Sequence, residues 1–276
     1  MTENIKTTLL LTSLTLLFIW IGGMLAGKTG MIIAFLVAVG MNFWAYYNSD
    51  KSVLAHYHAI EVGDHNAPDL MEIVERLTYK ARLPMPKVYI IPDQIPNAFA
   101  TGRNAENSAV AVTEGLLDLM DYEEIEAVIA HEISHINHSD ILISTVAATI
   151  AGAISMLINF GMIFGGDRER PNVIVMLILM FLAPMAASII QMTISRSREY
   201  KADAGAAYLT GHPEWLQSAL AKLENYNAHG MMHDASNETA HMFIINPFTG
   251  KDISFANLFR THPTTQDRID RLEQYK

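Results

Sequence analysis

Cysteine is missing from all 276 residues, and its absence removes several chemistries at once. There is no disulfide, no thiolate metal site and no cysteine nucleophile, and the pattern fits a reducing compartment. Basic residues are scarce too: 19 Lys and Arg stand against 29 Asp and Glu, a formal charge of −10. That balance argues against nucleic acid as a partner, because phosphate backbones are held by dense Lys and Arg. The chain has no internal repeat and no long low-complexity tract.

Charge is also missing locally. Four stretches of 20 residues or more contain no charged residue: Thr7–Gly27, Thr29–Ser49, Ile141–Phe164 and Val173–Ser195. Hydrophobic residues make up 50% of the chain and mean hydropathy is +0.18, too apolar for an ordinary soluble domain of this size. At about 1.5 Å rise per residue, each run is long enough for a hydrocarbon core of ~30 Å. The first run has the length of a signal peptide, but a second follows after Lys28 alone, so a hairpin of two spans is the simpler reading. The third run is rich in Ala, Gly and Ser, which suits close helix packing in lipid as well as a buried helical hairpin; a membrane hairpin is expected.

Four spans put both chain ends on one side, together with residues 50–140 and 196–276. Lys6, Lys51, Arg196, Arg198 and Lys201 flank the spans on that side, against Lys28, Arg168 and Arg170 at the opposite tips. The excess of positive charge places the domain in the cytoplasm.

The soluble part predicts an amphipathic helix over Asp69–Leu83, a strand over residues 87–91, and strands over 97–101 and 109–113 separated by a turn-rich Gly102–Ser108. Asp121, with Glu124 three residues on, forms a capping box that opens a helix. This helix is expected to run on into the third apolar stretch. A further helix over Arg198–Leu209 stops at Gly211-His212-Pro213.

The capped helix carries His131-Glu132-Ile133-Ser134-His135. Two histidines four apart share a helix face, where two imidazoles can hold one metal, and Glu132 can reach a water on that metal. Zinc lowers the pKa of such a water, and the glutamate takes its proton and passes it to the leaving amine. The alternative, two solvated histidines on a surface helix, fits poorly with the apolar flank of Val128, Ile129, Ala130, Ile133 and Ile136, where unpartnered polar groups are costly.

A catalytic zinc needs a third protein ligand and an open position. A third histidine six residues past His135 is excluded, because Ile141 stands there. Glu199, on the helix after the fourth run, is the other choice, and Asp203 lies one turn on, placed to accept a hydrogen bond from a ligand histidine. A salt bridge of Glu199 and Asp203 with Arg198 or Lys201 is the competing use. Return of the chain to the membrane surface after a hairpin of spans favours the ligand. His138 reads as a solvated or interfacial histidine, and His229, His233 and His241 as loop residues that do not bind zinc.

Across almost its whole length the chain resembles the HtpX-type bacterial membrane zinc proteases, relatives of the CaaX prenyl proteases. The resemblance is carried by the two N-terminal spans, Leu83–Tyr89, Asn97–Asn104, Ala130–Ile136, Asp140–Met156, Ile194–Asp203 and Thr261-His262-Pro263. It implies an α+β, zincin-like fold with a glutamate third ligand, fused to about four transmembrane helices. The implied organisation is a transmembrane hairpin (1–49), a first catalytic part with the motif helix (50–140), a second hairpin (141–195) and a second catalytic part with the third ligand (196–276).

The resemblance also implies one Zn2+ per chain on His131, His135 and Glu199, with Glu132 as general base. Asn97, Ala98 and Phe99 correspond to an edge strand that pairs with extended substrate. In the element His262-Pro263-Thr264-Thr265-Gln266-Asp267-Arg268-Ile269, His262 is expected to stabilise the oxyanion, and Arg268 to pair with Asp203 or substrate; the alternative is a capping histidine and a surface arginine. Lys201 and Thr264 stand where other residues are commoner.

The expected activity is that of a zinc endopeptidase in the bacterial inner membrane, multi-pass and facing the cytoplasm, acting on misfolded or damaged membrane proteins under stress. Its partners are unfolded or membrane proteins and the lipid bilayer. One competing reading is a protease with its motif inside the bilayer, which Glu123, Glu124 and Glu126 at the helix start oppose. The other is a non-catalytic zinc-binding membrane protein, a transporter or receptor, which would have no use for Glu132.

Overall fold

The computed structural model describes residues 3–147, 149–150, 196–229, 244 and 263–276. The chain opens with α1, Glu3–His56, which is two helices joined where Ala26 (φ −143°) and Gly27 (φ 56°) leave helical geometry. This is the turn expected beside Lys28. The two arms run antiparallel: Asn42 Nδ2 donates to the Leu11 carbonyl at 3.2 Å and to Thr15 Oγ1 at 2.7 Å. Near the turn the backbones almost touch, because a Cβ on Gly22 would lie 2.4 Å from the Gly30 oxygen. Small residues permit such an approach between helices in lipid.

Among the described residues one helix, Ala26–His56, is long and apolar enough to cross a membrane, and Leu11–Trp20 is a shorter apolar helix. Leu16, Trp20, Ile32, Leu36, Phe43 and Trp44 of this hairpin are all exposed. The expected fourth span lies outside the described residues, as does the third beyond residue 150.

A four-stranded sheet follows, in the order β1-β2-β4-β3. Its strands are β1 Ile60–Val62, β2 Lys87–Ile91, β3 Ala98–Asn104 and β4 Asn107–Thr113. β2 and β4 are parallel, the other pairs antiparallel, and β3 is an edge. Side chains alternate across the sheet as the strand period of two requires. Val88, Ala98, Ala100, Val110 and Val112 join the main helical core, while Ile91, Phe99, Ala109 and Ala111 pack with Val53, Leu54 and Tyr57 at the end of α1. β4 is thus buried on both faces, which is why its centre, residues 109–112, is a run of Ala and Val with no polar alternation.

The structure departs from the sequence pattern in two places. Gly102–Ser108 is not a loop: the strands continue to a two-residue turn at Ala105-Glu106. Gly102, at φ 138°, accommodates the register shift between β3 and β4, and a Cβ there would meet the Asn107 oxygen at 2.3 Å. The turn-rich composition served a bulge, which needs glycine for the same reason a turn does.

The motif helix also does not run on. After α2 (Pro68–Ala81) and α3 (Glu114–Leu119), α4 covers Tyr122–Asn137. It starts with the expected capping box, in which Asp121 N–H donates to Glu124 Oε2 at 2.9 Å. It ends at His138, and Ser139 takes a left-handed conformation, φ 59°. The next helix, α5, begins at 141 and is described through 150. His138 Nδ1 donates to the Ser134 carbonyl at 2.7 Å, closing off the last turn of α4.

The later helices are α6 Arg196–Thr210, α7 Pro213–Ala228 and α8 Thr265–Leu272, the last leading into a short 3₁₀ turn, Glu273–Tyr275. α6 lies against α4 where a Cβ on Gly205 would sit 1.9 Å from Ser134 Oγ and 2.9 Å from its Cβ. This closeness brings Glu199 within reach of the histidines. Gly205→Ala is therefore expected to lower stability by about 1–3 kcal/mol through overpacking, read as a lower midpoint of unfolding in detergent.

Candidate active site

α4 presents His131 and His135 on one face, and the first turn of α6 faces them with Glu199. The two Nε2 atoms are 3.2 Å apart, and Glu199 Oε2 and Oε1 lie 3.6 Å from His131 Nε2 and 3.8 Å from His135 Nε2. Tetrahedral zinc with ligands at about 2.0–2.1 Å sets its donor atoms about 3.3 Å apart. The trio could hold such an ion with small side-chain adjustments. Two imidazoles and one carboxylate leave a fourth position open, as a catalytic site requires.

The surroundings ask for positive charge at this point. Burial opposes protonation of His131, yet Asp203 and Glu199 outweigh it and push the pKa up to about 9. The carboxylates around this buried ring therefore favour a cation there.

Behind His131 stand Asp203 and Arg268. Asp203 Oδ1 lies 3.1 Å from His131 Nδ1, within reach of a proton on Nδ1 that would leave Nε2 for a metal, the role of a carboxylate behind a ligand histidine. Arg268 grips the same carboxylate with both arms, Nε to Oδ2 at 2.9 Å and Nη2 to Oδ1 at 2.6 Å. Its Nη1 donates to the carbonyl of Ile244 at 2.6 Å. Although burial raises the pKa of Asp203, Arg268 and His131 overcome this and hold it below the usual carboxylate range. The guanidinium is likewise shifted upward: burial disfavours its charge, but Asp203 prevails.

Glu132 is buried beside the histidines, and its Oε2 accepts the backbone N–H of Ala100 in β3 at 2.8 Å. Burial pushes its carboxyl above the ordinary value even though His131 and His135 pull it back. A carboxylate so placed is matched to proton transfer nearer neutral pH.

Of the strand residues expected at the substrate, Phe99 faces the end of α1, its ring 5.4 Å from that of Tyr57. The side chain of Asn97 accepts the N–H of Ile244 at 3.4 Å. The outward backbone groups of β3 belong to Ala98, Ala100 and Gly102, since Ala100 N–H goes to Glu132 and Gly102 N–H to Thr145 Oγ1. Among the described residues, what an added chain could pair with is thus Ala98 and the carbonyl of Ala100. Ala98 is only 1% exposed.

His262 lies outside the described residues, as do His233 and His241. His138 is exposed, and His229 donates from Nδ1 to the Asn225 carbonyl at 2.6 Å. Two participants were not singled out in the sequence. Ala100 anchors Glu132, and Asp140 Oδ2 lies 3.2 Å from His135 Nδ1. A search for carboxylates just past the motif would have flagged Asp140, but only the Ser139 break turns it back.

The sequence pattern of Peptidase family M48 matches residues 64–276. The chain belongs to this family. It is similar to the Protease HtpX homolog of Sulfurovum sp. (strain NBC37-1), at 68% identity over 275 residues, covering 99% of this chain and 100% of the relative. The homolog from Campylobacter hominis is 60% identical over 278 residues and covers 99% of each. Among solved structures, Ste24p of S. mikatae has a TM-score of 0.52 at 20% identity, over 95% of this chain and 62% of that one, a likeness of fold. M48 enzymes are zinc-dependent metalloproteases, and the His131, His135 and Glu199 cluster meets the donor requirement of that class.

Proposed function

We propose that this M48 protease is an integral membrane zinc endopeptidase that faces the cytoplasm and cleaves unfolded or damaged membrane proteins. The observation that carries the reading is the convergence of His131, His135 and Glu199 beside a buried Glu132 with one oxygen anchored. The apolar Ala26–His56 helix and the exposed hydrophobic surface of its hairpin support the membrane placement.

His131, His135 and Glu199 would hold the metal. When bound, zinc supplies a Lewis acid that acidifies water and polarises the scissile carbonyl. Asp203 keeps the His131 ring in the tautomer that offers Nε2. Ala100 N–H fixes Glu132 Oε2, leaving Oε1 to take a proton from the attacking water and return it to the departing amine. An extended substrate pairs with β3 at Ala98 and Ala100 once that buried edge opens. Backbone pairing reads little of the side chains, so specificity is broad and suits unfolded chains. In this reading His262 stabilises the oxyanion.

A non-catalytic zinc protein is the other class to weigh. A structural site closes its coordination shell, whereas three ligands with a buried, anchored carboxylate beside them fit hydrolysis. The test uses the full chain in detergent with an unfolded polypeptide such as casein. Cleavage is expected to stop on chelation and return with one equivalent of zinc, and Glu199→Ala is expected to lose both metal and activity. Cleavage that survives exhaustive chelation, or a Glu199→Ala variant that keeps its zinc, would overturn the assignment.

A further inference from the structure

α5, from residue 141 onward, touches both the N-terminal hairpin and the catalytic domain. Through Leu142, Val146, Ala147 and Ile150 it packs with Leu14 of the N-terminal hairpin, against which Leu11, Phe18 and Tyr46 also lie. Through Ile141 it enters the core of the catalytic domain. Two polar side chains then connect it to the two halves of the site.

The first is Asp140, at the residue before α5. It is 6% exposed, and its Oδ2 lies 3.2 Å from His135 Nδ1. The turn that brings it there is built for the purpose: Ser139 adopts φ 59° and Asp140 N–H closes onto the His135 carbonyl at 3.0 Å. An aspartate at this position would ordinarily cap the first amides of the following helix. Among the described residues its carboxylate is spent on the imidazole instead.

The second is Thr145, fully buried. Its hydroxyl donates to the Ile141 carbonyl at 2.6 Å, the usual local bond of a helical threonine. It has two acceptor positions left, and both are used by β3: Thr101 Oγ1 at 3.0 Å and Gly102 N–H at 3.2 Å. The local bond alone would not need a neighbour. The two bonds to the strand fix β3 at its outward edge, one residue past the carbonyl of Ala100.

We propose that Asp140 and Thr145 are paired positioning residues through which α5 sets the geometry of the site. Asp140 orients the His135 ring toward the metal, and Thr145 holds the substrate-side strand. Because α5 also packs on the hairpin, the anchoring of the hairpin in a bilayer reaches both halves of the catalytic centre through one rigid element. The inference rests on the reading of His135 as a zinc ligand and of β3 as the strand that meets substrate.

The two roles predict opposite signatures. With full-length protein in detergent, Asp140→Asn is expected to release metal about 10–100-fold more readily in chelator competition and to shift the visible spectrum of the Co(II)-loaded form, with KM for a peptide substrate within about twofold. Thr145→Val is expected to raise KM about 2–10-fold, the worth of a lost buried hydrogen bond, while kcat, metal affinity and the Co(II) spectrum stay put. Thr145→Ser, which keeps the hydroxyl, restores KM. If Thr145→Val does not fold, Thr101→Val removes the bond from the strand side and is expected to raise KM in the same way.

Wild-type metal affinity and spectrum in Asp140→Asn, unchanged KM in the valine variant, or failure of the serine variant to restore it would each overturn the proposal. Glu199→Ala separates the layers. If it retains metal, the ligand set itself is wrong. If it loses metal while Asp140→Asn does not, only the positioning role falls.

Discussion

Glu132→Gln is expected to reduce peptide hydrolysis about 10²–10⁴-fold, the range supplied by a positioned general acid–base group, while zinc content and fold stay intact. The substitution is nearly isosteric, and the amide oxygen of glutamine can still accept the Ala100 N–H that Glu132 Oε2 accepts at 2.8 Å. What glutamine lacks is a basic oxygen. The ligands His131, His135 and Glu199 are untouched, so metal analysis of the purified variant should match the wild type. The burial that raises the Glu132 carboxyl also makes a neutral side chain there no worse accommodated than the native one. The decisive measurement pairs zinc stoichiometry with initial rates on unfolded casein. A variant that binds zinc and cleaves at the wild-type rate would remove Glu132 from the chemistry and with it the proteolytic reading of this site.

How much of this was legible beforehand depended on whether a contact follows from helical spacing. His131, Glu132 and His135 declare themselves because four residues make one turn. The Glu199 and Asp203 pair follows from the same period on a second helix. The capping box at Asp121 and Glu124 was readable for a related reason, being a local bond between residues three apart. The hairpin turn beside Lys28 was visible because charge interrupts an apolar run only there.

Contacts that depend on a break in regular structure were not legible. Nothing in Asn137-His138-Ser139 states that α4 stops and Ser139 turns left-handed, yet Asp140 reaches His135 only because it does. Gly102 misled in the opposite direction. Glycine and asparagine within residues 102–108 signal a turn, whereas the bulge lets both strands extend to Ala105-Glu106. The strand was expected to offer Asn97, Ala98 and Phe99 to substrate, but β pairing decides orientation residue by residue. Phe99 was assigned to the far face by the period of two, and Asn97 has its side chain engaged with Ile244.

The same interdependence gives the second large effect. Arg268→Ala is expected to destabilise the protein by about 3–5 kcal/mol, the cost of leaving a buried charge without its partner. Arg268 is 1% exposed and Asp203 2%. Removing the guanidinium deletes the two bonds to Asp203 and the bond to the Ile244 carbonyl. Asp203, which Arg268 holds below the usual carboxylate range, would then face His131 alone in a dry site. An exposed pair between α6 and α8 would contribute under about 1 kcal/mol, so the size of the loss distinguishes an internal strut from a surface contact.

Arg268→Lys should recover little, because a single ammonium cannot reproduce two parallel bonds to a carboxylate and a third to a carbonyl. Urea unfolding in detergent, followed with and without chelator, reads the effect. The midpoint is expected to fall in both conditions, and metal to be lost more readily, because Asp203 sets the His131 tautomer. A midpoint lowered only when zinc is present would mean that Arg268 acts through the metal alone. A midpoint unchanged in both would show that the ion pair behind His131 contributes nothing to the fold.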